Sequence, residues 1–442
     1  MVLDEIAEAV EKRIRSLEGK VDEYIITVEE VSNRMLKLAN GEASVTQNWR
    51  TIEVGLYLAR RDGRIFYTGL SAHDPEKAAA EAARLVEAVE PSPLYAPLPR
   101  ADGESYSNVD PKIKAYLEGD IQLDLAGDLE LDLVGTAAGM AELGYVRRLF
   151  LNSHGDRLTG ERTWFKGYMR VFRGDRTGQW SWTGVNYDNG ERARKAIQVA
   201  RGLAEECEKL PLEKIEPGEY RVLLSPMIAG NLVNEVLFAA SAARLIFAMT
   251  WIKPEMLGQR VVSDKLTIID APRRKDLPEY TLHDAEGVKT RDKPVIAEGV
   301  LQTLLHNTKT AKLMGTETTG NAGLIMPEPF NIIVEPGDLG EEEQLEALGE
   351  GIYVTNNWYT RYQNYVEGTF STVSRDAVIL VKNGKPSACL NRIRITGKIQ
   401  ELFANVEAVG KTRWPMEWWE VPKPTLTPHI LISKTKISLP TI

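Results

Sequence analysis

Apolar residues at Leu3, Ile6, Val10, Ile14 and Leu17 recur at spacings of three and four. That period predicts one buried helix face, with Gly19 placed to end it. From about 22 to 69 the period falls to two, which predicts strands. Asn40-Gly41 and Asp62-Gly63 sit between these runs as two-residue hairpin turns. Asp74-Pro75, a cap followed by a proline at the first helical position, opens a second helix running to Glu90. Four prolines between 91 and 99 then mark an extended connection. The pattern next predicts a helix at about 121–143, strands near 145–153, 162–174 and 178–187, and a helix at about 190–209. This middle block repeats the order of the first, helix, hairpins, helix, without a residue-level repeat. Pro211 and Pro217 bracket a second junction. After it come a strand, EYRVLLS, and a long helix at about 227–249. Val236 to Ala243 contains no glycine and reads as continuous, packed helix. The remainder reads as short strands with turns at Pro336-Gly337, Asn383-Gly384 and Gly397, and Glu341–Glu343 opens one short helix.

These elements predict the α+β class: a two-part N-terminal α+β region with antiparallel sheets, then a strand-rich C-terminal domain with a long buried helix. The boundaries are an N-terminal domain at 1–92, a Pro-rich linker at 93–112, a middle domain at 113–212 and a C-terminal β-rich domain at 213–442.

Composition narrows the class. Hydrophobic residues make up 43% and charged residues 26% of 442, as in an ordinary globular protein. A formal charge of −9 supplies no electrostatic footprint for nucleic acid or an anionic membrane. The N-terminus lacks the apolar core of a signal peptide. The most apolar stretch, 236–251, is interrupted by Arg244 and is shorter than a membrane span. Two cysteines, Cys207 and Cys389, build no disulfide framework, and such low usage fits a reducing cytoplasm.

Local motifs for chemistry are missing. No two of His73, His154, His283, His306 and His429 lie at metal-ligand spacing, and neither cysteine is beside one. Nucleophile elbows, P-loops and dinucleotide fingerprints are absent. Gly315, Gly320 and Gly323 in GTETTGNAG leave a turn or a phosphate cradle open. His283, Asp284 and Glu286 form a polar cluster, either a surface turn or a functional loop. In NNWYTRYQNY, residues 356–365, aromatics alternate with polar groups. Trp358, Tyr359, Tyr362 and Tyr365 with Arg361 and Asn364 suit a groove for an extended peptide, or a strand packing into the core.

Several segments, in order, resemble the TldD/PmbA family of zinc metallopeptidase-like proteins. They are Glu42-Ala43-Ser44, the Gly63-Arg64-Ile65 hairpin, LLSPMIAGNLVNEV at 223–236, the 283–322 segment beginning HDAEG and ending TTGNA, NIIVEPGD at 331–338 and IRITGKIQELFANVEAVG at 393–410. The resemblance implies a mostly antiparallel, barrel-like C-terminal domain with the 227–249 helix across it. TldD-type members carry H-E-x-x-x-H on that helix and a further cysteine ligand near the C-terminus; PmbA/TldE-type members lack the site. Here the hexapeptide reads Asn234-Glu235-Val236-Leu237-Phe238-Ala239, so only Glu235 matches. Histidines five apart lie about 140° apart on a regular helix, so sharing one metal requires a distortion between them. Residues 410–430 contain no cysteine, and Cys389 lies upstream.

The resemblance therefore implies a PmbA/TldE-type, metal-free cytoplasmic subunit that completes the chamber of a TldD-like zinc peptidase and helps hold unfolded peptide. Zinc belongs to the partner subunit, and this chain needs none of its own. The peptide contacts expected are Asp284, Glu286, Gly287, Gly320, Asn321, Trp358, Tyr359, Arg361, Tyr362 and Asn364. Two other readings stay open: a stand-alone hydrolase built from distant residues such as His283, His306, Asp284 and Glu286, or a homodimeric peptide-binding adaptor.

Overall fold

The computed structural model describes residues 2–17, 19–130 and 135–440. Seven strands form the N-terminal sheet: β1 (Glu23–Ala39), β2 (Glu42–Ala59), β3 (Ile65–Leu70), β4 (Tyr106–Asn108), β5 (Ala137–Asn152), β6 (Arg157–Arg173) and β7 (Arg176–Gly184). Its order is β3-β2-β1-β5-β6-β4, with β7 also paired to β6. All pairs are antiparallel except β4 with β6. The hairpin signal at Asn40-Gly41 is real: both residues adopt positive φ, 55° and 80°, as a two-residue turn demands. The Asp74 cap is also real, its carboxylate accepting from the Lys77 N–H at 3.3 Å.

Two expectations change here. The blocks at 1–92 and 113–212 are not separate sheets. Strand β1 pairs with β2 on one side and with β5 on the other, from Ile25 with Asn152 to Ala39 with Ala138. Each block contributes a three-stranded meander with its own helices, so the repeated order seen in the sequence is a repeated architecture. The helix expected at 121–143 does not form as one element, and its last part, 137–143, is strand. Only Leu125–Asp128 is helical, β5 begins at Ala137, and 131–134 lie outside the described residues. AAGMAELGYV has small residues compatible with either state, and pairing with both β1 and β6 settles it.

The linker is a strap. The Gly103 N–H donates to the Gly287 carbonyl at 3.0 Å, and Asp102 accepts from the Lys289 N–H at 2.8 Å. It binds the N-terminal sheet to the 283–289 loop of the C-terminal domain.

The second sheet has twelve strands: β8 (Leu212–Glu213), β9 (Gly218–Leu224), β10 (Ile268–Asp270), β11 (Lys293–Ala297), β12 (Val300–Leu301), β13 (Ile332–Val334), β14 (Gly351–Asn364), β15 (Thr369–Lys382), β16 (Lys385–Leu390), β17 (Arg394–Lys398), β18 (Val406–Trp418) and β19 (Val421–Ser438). Pairing is mostly antiparallel, and β19 is the hub, bonded to β9, β13, β17 and β18. The helix Pro226–Ala239 lies in its core, packed with Val222, Leu224, Val354 and Ile430.

That helix is shorter than expected. It ends at Ala239, and a separate short helix spans Ala242–Ile246. The break is tertiary. The Ala240 carbonyl accepts from the Leu305 N–H at 2.9 Å, the Ala242 N–H donates to the Leu305 carbonyl at 3.0 Å, and Ser241 Oγ donates to the Pro327 carbonyl at 2.8 Å. A distant segment thus takes the bonds that would have continued the helix.

The cysteines also depart from expectation. Cys207, on the helix Glu191–Lys209, is disulfide-bonded to Cys389 on β16, across 182 residues. The bond staples the middle block to the C-terminal sheet. Among the described residues no helix is long and apolar enough to cross a membrane. Thiol titration of denatured, unreduced protein should find no free thiol, and reduction should lower stability by about 2–4 kcal/mol. Two reactive thiols before reduction would contradict the pairing.

Candidate functional site

The site is built on the Pro226–Ala239 helix and the strand beside it. Ser225 caps the helix, accepting from the Met227 N–H at 3.2 Å, and Pro226 needs no donor at the first position. The helix is buried nearly all round, so its polar side chains must find partners inside. Asn234 does so completely. Its Nδ2 donates to the Gly230 carbonyl at 2.8 Å and to Thr425 Oγ1 at 2.7 Å, and its Oδ1 accepts from the Lys423 N–H at 3.1 Å. Asn231 Oδ1 accepts from Asn357 Nδ2 at 2.8 Å and from Thr360 Oγ1 at 2.7 Å. These amides lock the helix to β14 and β19.

Glu235 differs from both. It is half-buried, and the structure gives it neither a hydrogen bond nor an ion pair among the described residues. Burial pushes its carboxyl up, Arg244 and Arg361 pull it down, and Glu420 adds to the rise. Tyr362 lies near enough to feel that charge, and its hydroxyl is buried without a partner.

Strand β14 carries a bulge. Pairing with β15 shifts between Trp358 and Arg361, and Tyr359 takes φ 55°, with its N–H donating to Glu420 Oε1 at 3.0 Å. Consecutive side chains of a regular strand point to opposite faces; a bulge breaks that alternation. Trp358 and Tyr359 therefore touch, centroids 4.5 Å apart, and both line one cavity. It encloses about 900 Å³. Arg361 and Gln363 from β14, Ser371 and Val373 from β15, and Arg394 from β17 form its sheet face; Lys214 and Arg392 stand at its sides.

The expected peptide contacts divide accordingly. Trp358, Tyr359 and Arg361 meet in the cavity. Tyr362 turns to the other face and packs on the core, while Asn364 Oδ1 accepts from the Glu367 N–H to shape a turn. Asp284, Glu286 and Asn321 are interior. The Asp284 carboxylate accepts from the backbone N–H groups of Glu286, Val288 and Ala322 at 2.8–3.0 Å. Burial and the Glu286 charge push its carboxyl up against those donors. Glu286 pairs with Lys309 at 2.6 Å and accepts from the Thr308 N–H. Asn321 Nδ2 donates to Asp270 at 2.7 Å, and Asp270 also pairs with Lys293. Gly287 and Gly320 have φ of 80° and 69°. A Cβ on Gly287 would come within 2.9 Å of the Phe150 ring, and one on Gly320 within 2.6 Å of the Lys289 carbonyl. All five hold the loop to its neighbours, and GTETTGNAG is a turn tied to His306 through Thr318 and Thr319.

Sequence reasoning missed Lys214, Gln363, Arg392 and Arg394. The spacing of the two arginines, two apart in a strand-like run, was the available signal for a shared face.

Among the described residues no three His, Cys, Asp or Glu side chains form a group able to hold a metal. His283 is wedged against Tyr106 and Phe150, and His306 bonds Thr310. Burial pushes both imidazoles down to about 4.

A buried amide-locked helix wrapped by a twelve-stranded sheet, beside an arginine-lined cavity, places this chain in a class defined by known relatives. Residues 217–439, half of the chain, match the PmbA/TldA metallopeptidase C-terminal domain. The chain belongs to the PmbA/TldD family. It is 30% identical over 285 residues to a metalloprotease of Methanocaldococcus jannaschii, covering 60% of each chain. It is 26% identical over 223 residues to the metalloprotease PmbA of Escherichia coli, covering 50% of this chain and 48% of that one. The matches thus span about half to three-fifths of these relatives. The fold is shared more widely. TldE of Thermococcus kodakarensis superposes with a TM-score of 0.79 at 21% identity, covering 97% of this chain and 100% of that one. A Thermotoga maritima protein described as a putative modulator of a DNA gyrase superposes with a TM-score of 0.80 at 22% identity, covering 98% and 100%.

The family description implies a metal, and the side chains at 234–239 do not fit one. Catalytic zinc takes three protein ligands and leaves one position open. Asn234 has spent both donors and its acceptor inside the protein, Ala239 has no ligating atom, and Glu235 alone is a single carboxylate.

His429 offers a clean pH test. It is buried, bonded through Nε2 to the Tyr353 hydroxyl at 3.0 Å, and burial pushes it down to about 3. The unfolded chain takes up that proton near pH 6.5 and the folded chain does not, so the stability it carries is lost as pH falls below about 6.5. Between pH 7.5 and 5, wild type should lose about 2 kcal/mol relative to His429→Gln. A stability difference independent of pH would contradict a buried neutral imidazole. Asp284 acts in the opposite sense, which is why the comparison is made with a His429 variant and not by the wild-type profile alone.

Proposed function

We propose that this chain is the metal-free, PmbA/TldE-type subunit of a two-chain zinc peptidase, acting on unfolded proteins and peptides. It works beside a histidine-bearing TldD-like subunit, in the cytoplasm, and supplies part of the chamber wall and of the peptide-holding surface. The observation that carries this is the fate of Asn234: the position of the first motif histidine serves as a structural latch. Whole-length likeness to TldE and family membership support it.

Glu235 has no metal-bound water to act on within this chain, so hydrolysis belongs to the partner. The contribution of this chain is to bind and orient. The Trp358 and Tyr359 rings offer flat contact area at small entropic cost, and Arg361 and Gln363 offer donors to a peptide backbone. The Cys207–Cys389 bond fits a cytoplasm that tolerates structural disulfides, as in some thermophiles.

Reconstitution tests the assignment. Cleavage of an unfolded casein fragment should need both this chain and a histidine-bearing paralogue from the same genome, with neither active alone. Chelator-sensitive cleavage by this chain alone would overturn it. Trp358→Ala should raise the KM of the assembled enzyme by about tenfold with little change in kcat, the sign of lost uniform binding. Unchanged kinetics in a folded variant would remove Trp358 from the substrate path.

A further inference from the structure

The cavity beside β14 carries more positive charge than its surroundings answer. Arg361, Arg392, Arg394 and Lys214 line it, against one carboxylate, Glu213. Glu213 lies 3.6 Å from Lys382. Among the described residues none of the four cations forms an ion pair, although the chain as a whole carries −9. Neighbouring acids do not pair with these cations: Asp376 takes Arg170 at 2.5 Å, Thr177 Oγ1 at 2.8 Å and Asn356 Nδ2 at 2.8 Å, Glu420 accepts the Tyr359 N–H at 3.0 Å, and Glu235, whose carboxyl Arg361 pulls down, forms no ion pair with it.

The arginines are held by contacts that leave most of their donors free. The Arg392 guanidinium lies 5.5 Å from the Trp358 ring centroid, and Arg375 lies 5.0 Å from the same ring. Arg361 lies 5.3 Å from the Tyr359 ring and gives one N–H to the Thr360 carbonyl at 2.7 Å. Arg394 reaches only Ser371 Oγ, at 3.4 Å. Stacking fixes a guanidinium plane while its edge remains available, and that edge is a two-pronged match for a carboxylate. Apolar walls from Ile215, Val373 and Leu390 flank the charges. A chain of alternating apolar and acidic side chains fits both surfaces.

Resting on the peptide-holding reading above, we propose that this cavity selects the substrate: it binds carboxylates of an extended, unfolded acidic peptide, supplied by Asp and Glu side chains or by the peptide's C-terminus. Arg361, Arg392 and Arg394 form the carboxylate-binding edge, and Trp358 positions Arg392.

Fluorescence polarisation on this chain in its two-subunit assembly tests the proposal. The probes are labelled unstructured peptides of about ten residues: an Asp/Glu-containing sequence and its Asn/Gln isostere, each with a free or an amidated C-terminus. The acidic peptide should bind about tenfold tighter at low salt, with the preference shrinking as ionic strength rises. Arg361→Gln with Arg392→Gln and Arg394→Gln should bring the acidic peptide down to the affinity of the neutral one. Arg392→Glu, a change at an exposed position, should weaken the acidic peptide and favour a Lys-containing one. A loss confined to amidation would assign the site to the C-terminal carboxylate; a loss confined to the Asn/Gln isostere would assign it to side chains. Equal binding of all four peptides, acidic or neutral and free or amidated, would overturn the carboxylate selection and leave the peptide-holding role standing. Binding of no peptide at all would overturn both. Tighter binding of a ten-nucleotide single strand than of the acidic peptide would overturn the proposal in favour of phosphate recognition.

Discussion

A helix buried on nearly every side constrains everything packed around it. In Pro226–Ala239 all residues but Glu235 and Phe238 are buried, so each buried polar group on it needs a specific partner, and an unmet one would cost about 1–3 kcal/mol. Asn231 and Asn234 meet that demand by reaching β14 and β19. Their bonds set how those strands lie against the helix. They also decide the chemistry, because an amide whose donors and acceptor are used internally has nothing left for a ligand.

The same helix joins the two halves of the molecule. Met227 at its start, with Met416, Trp418 and Val421 from β18 and β19, belongs to the core that also contains Trp180, Trp182 and Phe165 of the middle block. The strap around Asp102 and Gly103, the 283–289 loop and the Cys207–Cys389 bond reinforce that joint at separate points. The acidic DAEG loop belongs to this joint. Its carboxylates are buried because they accept backbone bonds and pair with Lys309. The cavity lies elsewhere, where the β14 bulge gathers Trp358, Tyr359 and Arg361.

Local signals in the sequence were dependable where local physics decides. The hairpin at Asn40-Gly41, the Asp74 cap and the helix at 191–209 all follow from short-range rules. Long-range pairing was not legible. Nothing near Ala240 announces that Leu305 will take its hydrogen bonds, and nothing in 137–152 announces partners on both edges. The cysteine pair spans 182 residues and was likewise invisible. For the site, residue type brought Trp358, Tyr359, Arg361, Tyr362 and Asn364 together; the structure gathers the first three at one cavity and turns Tyr362 to the core and Asn364 to a turn. The bulge, which depends on the partner strand, redirects the faces. Conspicuous residues such as Asp284 and Asn321 drew attention by their polarity, and that polarity is spent on holding a buried turn.

A member of a metallopeptidase family whose motif positions are amide and alanine should act through what it holds and whom it joins. Zinc per chain, measured by elemental analysis on protein expressed without a partner and dialysed against trace zinc, tests that claim most directly. The account predicts a value near zero, unchanged by Glu235→Gln. A value near one, lost when Glu235 is replaced, would contradict it.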